Sequence, residues 1–189
     1  TENENRVICV AGIGSEKPFM TLMGSQTIDL HLVGAGSATQ CFPFYTYAED
    51  GSQRQENITD WALTTFQRHY RSRKLTKWDI FYYVYGLLHH PTYRDKYAAN
   101  LKRELPRLPL TNDFWAYSKA GQALANLHID YETQPEYPLQ KVATPGAKLH
   151  YRVDKMRLTS EKDSLVYNDA LTLKGIPPEV FEYRLGNRC

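Results

Sequence analysis

A chain of 189 residues, 42% hydrophobic and 23% charged, can bury one good core or two small lobes. Its net charge of +2 conceals an asymmetry: residues 1–60 carry 3 basic and 8 acidic side chains, residues 61–120 carry 11 and 4, and the remainder 9 of each. No apolar run approaches the length of a membrane span, the polar start TENENRVICV is unlike a signal peptide, and three scattered cysteines without Cys-x-x-Cys argue against structural zinc and for a reducing cytoplasm.

In chain order, the first fifty residues read as short strands between glycine turns. Val7–Val10 runs into Gly12-Ile13-Gly14, Ile28–Val33 alternates apolar with Asp29 and His31 before Gly34-Ala35-Gly36, and Cys41–Tyr47 is aromatic and interrupted by Pro43. The period then changes from 2 to 3.6. Thr59 is placed to cap a helix carrying Ala62, Phe66 and Tyr70, with Ile58 and Leu63 as a hydrophobic staple. Thr76 with Asp79 resembles a capping box for a second helix with Ile80, Val84 and Leu88 on one face. Pro91 starts a third, repeating at Tyr93, Tyr97, Leu101 and Leu105 until Pro106 and Pro109, and a fourth spans about Phe114 to His128. Alternation over Lys148–Leu158 and Leu165–Leu173 predicts strands again, and Pro177-Pro178 opens a final turn. The expectation is one α+β domain over residues 1–189. Short-stranded β regions at both ends flank about four helices, which include a helical hairpin, and residues 57–128 are a candidate sub-lobe.

The stretch FYYVYGLLHHPTYRDKY holds five tyrosines at helical spacing beside leucines, which reads as the inside of that hairpin rather than a site. His89 and His90 diverge by about 100° on a helix and do not share one metal, so capping of helix-end carbonyls is their expected role. Asn57-Ile58-Thr59 is read as an accidental sequon. Gly34-Ala35-Gly36 after a strand has the look of a nucleotide or S-adenosylmethionine loop, but the next segment reads as a strand and no suitably placed acid follows. No Walker loop, nucleophile elbow or His-Glu-x-x-His is present, and Ile176-Pro177-Pro178-Glu179 has the wrong neighbours for a flipped-base pocket. No catalytic residue and no metal ligand is assigned.

Binding to nucleic acid suits the residues better. Arg68, Arg71, Arg73, Lys74 and Lys77 gather at a helix junction, and Lys148, Arg152, Lys155 and Arg157 line the later strand, where they would neutralise phosphates. The loops Gly14–Lys17 and Ser37–Gln40 offer Ser15, Lys17, Ser37, Thr39 and Gln40 for base edges. A solvated helical surface is the bland alternative.

The ordered series RVICVAGIGS, DLHLVGAGSATQCFPFY, ENITDWAL, TKWDIFYYVYGLLHHPTYRDKYAANLKRELPRLPL and FWAYSKAGQALANLHIDYE resembles one family over about Arg6 to Arg188. It is similar to the C-terminal specificity region of type ISP restriction–modification enzymes. In these, one polypeptide joins a nuclease, an ATP-driven translocase, an N6-adenine methyltransferase and a target recognition domain. The resemblance implies a sequence-specific module for double-stranded DNA in a cytoplasmic phage-defence enzyme, with no catalysis of its own. It would direct methylation and restriction, and S-adenosylmethionine, ATP and Mg²⁺ would belong to the parent, as would the upstream methyltransferase and translocase domains. The family pattern continues past RLGNR, so the chain is expected to be a piece of a much larger polypeptide. A helical spacer docking on the methyltransferase or translocase is the competing expectation, supported by the tyrosine-rich hairpin as an aromatic interface. A small enzyme built on the glycine loop is a third.

Overall fold

The computed structural model describes residues 5–26, 28–32, 36–153 and 155–185. They form an α+β structure whose contacts divide into two compact units, Thr1–Gln134 and Pro135–Cys189.

In the first unit β1 (Val7–Ala11) is the central strand of an antiparallel sheet between β2 (Thr21–Gly24) and β3 (Thr39–Pro43). All of β1 is buried, with Ile8 and Val10 in the main core. The expected strand Ile28–Val33 does not form over its described part, and Val33 lies outside the described residues. Asp29 accounts for this: its carboxylate accepts from the His31 backbone at 2.6 Å and its carbonyl from Leu32 at 3.2 Å, a local turn that competes with pairing and leaves Leu30 and Leu32 exposed. One of the two partners of β1 is β2, which carried no expectation. Beyond Pro43 a short ribbon pairs β4 (Tyr45–Thr46) with β5 (Gln55–Glu56).

The helices follow their caps. Thr59 Oγ1 accepts from the Ala62 backbone at 3.2 Å and starts α1 (Asp60–His69). Thr76 and Asp79 make a complete capping box on α2 (Lys77–His89), the Asp79 carboxylate reaching the Thr76 N–H at 2.8 Å. Thr76→Ala is expected to cost about 1 kcal/mol in urea unfolding, with Thr76→Ser close to wild type. Pro91 is the first residue of α3 (Pro91–Lys96). The third helix is broken at Tyr97, where φ is −107°. It resumes as α4 (Ala98–Leu101), so Leu105 lies outside it.

The last α-helix of this unit, α5 (Phe114–Ile129), crosses α2 backbone to backbone. A Cβ on Gly121 would sit 1.9 Å from the Tyr82 carbonyl oxygen, and one on Gly86 2.4 Å from that of Tyr117. Around this crossing Phe44 stacks on Trp78 at 3.6 Å and Phe114 on Tyr83 at 4.9 Å. Tyr82, Tyr83, Tyr85 and Tyr93 are buried, so the tyrosine-rich stretch is core. The aromatic interface expected of a docking hairpin is therefore turned inward.

The second unit is an antiparallel sheet in the order β6 (Gln140–Ala143), β9 (Leu171–Lys174), β8 (Ser164–Val166), β7 (Arg157–Leu158). The expected strand Leu165–Leu173 is instead a hairpin. Asn168 turns it, its side-chain oxygen accepting from the Ala170 backbone at 2.9 Å. Of Lys148–Leu158 only Arg157–Leu158 is strand, and Asp154 lies outside the described residues. Side chains replace the missing ladder: Asn168 Nδ2 donates to the carbonyls of His150 and Arg152 at 2.8 and 3.0 Å, and Tyr167 to that of Tyr151 at 3.2 Å. A short 3₁₀ turn, Pro178–Glu182, follows Pro177.

Candidate nucleic-acid interface

The two polar loops meet. Ala11 at the end of β1 pairs with Thr39 at the start of β3, so the segments leaving those positions run side by side. Ser15 and Ser37 hydroxyls hydrogen-bond at 2.9 Å, and the Ser15 oxygen also accepts from the Lys17 N–H at 3.1 Å. Gly14 takes φ +78°, a left-handed turn that glycine adopts without strain. Its N–H donates to the Lys102 carbonyl at 3.1 Å, which brings exposed Lys102 and Arg103 alongside. Of the five residues chosen for base edges, Gln40 is exposed, Ser15 and Lys17 are half-buried, and Ser37 and Thr39 are buried, the Thr39 hydroxyl having no partner. Gly34 and Ala35 of the glycine loop lie outside the described residues.

The basic helix junction lies elsewhere. Phe44, which donates to the Arg6 carbonyl, stacks on Trp78 at the start of α2. Arg94 in α3 donates to the Phe19 carbonyl at 2.5 Å, beside Met20, which accepts from the Ala11 N–H. The two ends of the sheet are thus tied near opposite ends of α2, the Arg6 end through Phe44 and Trp78 close to Thr76, and the polar-loop end through Phe19 and Arg94 just past His89. Thirteen residues of α2 separate the ends by about 20 Å. At the Thr76 end Arg68, Arg71, Arg73 and Lys74 are exposed, and Gln67 braces their loop by donating to the Leu75 carbonyl at 2.9 Å. Arg71 adopts φ +50°. Lys77 is held instead by Asp60 at 2.7 Å and Glu56 at 3.1 Å, and its hydrogen bond to Asp60 is the main cause of its raised pKa. In the second unit Lys148, Arg152, Lys155 and Arg157 are exposed.

The sequence reading missed Lys102 and Arg103, because the helical pattern placed them on an outer face with nothing beside them. A charge pair after Leu101 at a proline-ended helix was the available signal. Neither His89 nor His90 caps a carbonyl through its ring. The His89 ring packs at 4.7 Å from Tyr85 and 5.4 Å from His128, with Nε2 buried and unpartnered. No group of three or more His, Cys, Asp or Glu able to hold a metal gathers among the described residues. Among them, too, no helix is long and apolar enough to cross a membrane.

No curated protein matches the chain. Three solved structures are similar over nearly all of it. A cryo-EM structure of a DrdV–DNA complex has 38% identity, a TM-score of 0.85 and 98% of this chain covered. A nuclease-deletion mutant of the Type ISP restriction–modification enzyme LlaGI, in complex with a DNA substrate mimic, has 34%, 0.75 and 97%. The ATP-dependent Type ISP enzyme LlaBIII, bound to DNA, has 30%, 0.79 and 97%. The match occupies only 19%, 16% and 12% of those chains, respectively, so this chain spans a fifth or less of their length. The family described as the Type ISP C-terminal specificity domain matches residues 1–189, and the chain belongs to it.

Proposed function

We propose that the chain is the DNA-reading module of a larger type ISP enzyme, itself without catalysis. It would direct that parent's adenine methyltransferase and restriction activities to one asymmetric site in cytoplasmic double-stranded DNA, as a defence against phage. ATP, Mg²⁺ and S-adenosylmethionine would be used by the upstream domains. One observation carries the reading: the segments around Ser15, Ser37 and Lys102, far apart in sequence, converge at one end of the first sheet. There they gather the exposed Gln40 amide and the exposed Lys102 and Arg103 cations beside the half-buried Ser15 hydroxyl, groups of the kind that read base edges and hold phosphates. Gln40 and Lys17 are the reading side chains in this proposal, and Ser37 and Thr39 position them from behind.

Phosphates would be met by Arg68, Arg71, Arg73 and Lys74 at the other end of α2, and by Lys148, Arg152, Lys155 and Arg157. Lys77 would have to exchange Glu56 and Asp60 for a phosphate, so it ranks last.

Selection of bound duplexes from a randomised pool, at low and moderate salt, tests the proposal. An enriched asymmetric motif is expected, and affinity should fall with salt at a log–log slope of about −0.9 per neutralised phosphate. Arg71→Ala or Arg73→Ala should weaken all sequences alike and flatten the slope by about 1 each. Gln40→Ala should relax preference at one position by about 1–3 kcal/mol. Salt-independent binding would overturn the reading, and enrichment unchanged by Gln40→Ala would overturn the assignment of that residue.

A second reading, docking on the methyltransferase or translocase with little readout, is favoured by exposed Leu149, Tyr151, Val153, Met156 and Leu158 in the second unit. It predicts co-purification with the upstream domains and no enriched motif.

A further inference from the structure

Two cysteines face each other across the sheet that carries the candidate reading end. Cys9 of β1 and Cys41 of β3 are directly paired in antiparallel register, with sulfurs 3.9 Å apart. The phase of the ladder follows from its ends. Phe44 donates to the Arg6 carbonyl and Gly12 to that of Ala38, so pairs in step with these exchange hydrogen bonds. Cys9 and Cys41 lie one residue out of step and form a non-hydrogen-bonded pair. Such pairs hold their Cα atoms about 4.5 Å apart, at the short end of the range that a disulfide spans. Both side chains point to the same face of the sheet, because paired residues do.

The two thiols differ in access. Cys41 is exposed on an outer strand, whereas Cys9 is 2% exposed. Burial, with the neighbouring Cys41 as a lesser cause, pushes the Cys9 thiol well above its usual range. An oxidant in solution therefore meets Cys41 first, and Cys9 waits within reach as the resolving partner.

We propose that Cys9 and Cys41 are a redox modification site, closing a reversible disulfide between β1 and β3 when the protein meets a peroxide. In the first step the Cys41 thiolate attacks one peroxide oxygen. The O–O bond breaks, the other oxygen leaves as hydroxide or alkoxide, and Cys41 becomes a sulfenic acid. In the second the Cys9 sulfur attacks the Cys41 sulfur. The S–O bond breaks, and the departing hydroxyl leaves as water with the Cys9 proton. One peroxide consumes two thiols, and a thiol reductant reverses the change. The sulfurs need to approach by about 2 Å, which side-chain rotation supplies. The bond would staple the two strands whose ends carry Ser15 and Gln40. The chemistry itself does not depend on the proposed DNA role.

The test is treatment of the full chain carrying Cys189→Ser with one equivalent of hydrogen peroxide, followed by intact mass, thiol titration and peptide mapping without reduction. The expected result is loss of the mass of two hydrogens, loss of both thiols together, a Cys9–Cys41 linked peptide and full recovery with dithiothreitol. Cys9→Ser should instead leave Cys41 to gain oxygen atoms, and Cys41→Ser should leave Cys9 unreacted in the folded protein. Oxygen gained on Cys41 with Cys9 still reduced in the parent would overturn the proposal, as would a link between cysteines of two molecules. Circular dichroism of each variant separates a failed fold from a failed reaction.

Discussion

Replacing Gly121 by alanine is expected to destabilise the first unit by about 2–3 kcal/mol, although alanine is the better helix former by about 1 kcal/mol. The sign is set by the crossing of α2 and α5. A methyl group on Gly121 would stand 1.9 Å from the Tyr82 carbonyl oxygen and 2.8 Å from the Gly86 nitrogen, all of it backbone that no rotamer change can move. The helices must separate, and that loosens Tyr83 against Phe114 and the rest of the aromatic core on both. Gly86→Ala meets the Tyr117 carbonyl at 2.4 Å and should behave alike. The control is Ala120→Gly, one residue away and exposed, which should cost only the helix-propensity difference of about 1 kcal/mol. Urea unfolding of the three variants decides it. A Gly121→Ala protein as stable as wild type would mean that the helices do not cross this closely in solution.

That crossing shows what the sequence conceals. Thr59, Thr76 and Pro91 act on their own next few residues, so three helix starts were legible from local chemistry alone. Gly86 and Gly121 carry no local signal, since each is required by a carbonyl on the other helix. The strands failed for a related reason. Alternation marked Ile28–Val33 and Lys148–Leu158, but pairing needs a partner. In one case Asp29 supplied a turn instead, and in the other Asn168 bonded the carbonyls that a neighbouring strand would have taken. The candidate interface divides the same way. Glycines beside Ser15 and Ser37 marked both loops, while their 2.9 Å contact and the arrival of Lys102 depend on the β1–β3 register. The basic junction was legible as charge. Its position at the far end of α2 from those loops was not, because sequence gives no order to the ends of packed elements.

Acid is expected to weaken the protein in a window where carboxylates are still ionised. The His89 ring is held among Tyr85, His128 and Arg94. Burial first, then His128, then Arg94, lower its pKa to about 3 from an ordinary 6.5. Burial also lowers that of His128, whose Nδ1 is hydrogen-bonded to the Tyr85 hydroxyl. Below pH 6.5 the unfolded chain takes up protons on these rings more readily than the folded chain does. Stability therefore declines as pH falls below 6.5, by at most about 1.4 kcal/mol per pH unit for His89 down toward pH 3, and His128 adds to the decline in the same direction. Between pH 6.5 and 5 His89 alone accounts for a loss of up to about 2 kcal/mol. His89→Phe removes the proton uptake while keeping an aromatic ring against Tyr85, so its unfolding free energy should vary less over that interval, leaving the share of His128. Arg94, which helps to exclude the proton, also donates to the Phe19 carbonyl next to the strand end that carries the polar loops. Protonation would thus set a cation against the group that ties α3 to the proposed reading end. Urea unfolding at pH 7, 6 and 5 for wild type and His89→Phe measures the effect. Equal slopes in the two proteins would show that the ring takes up its proton without cost in the folded state.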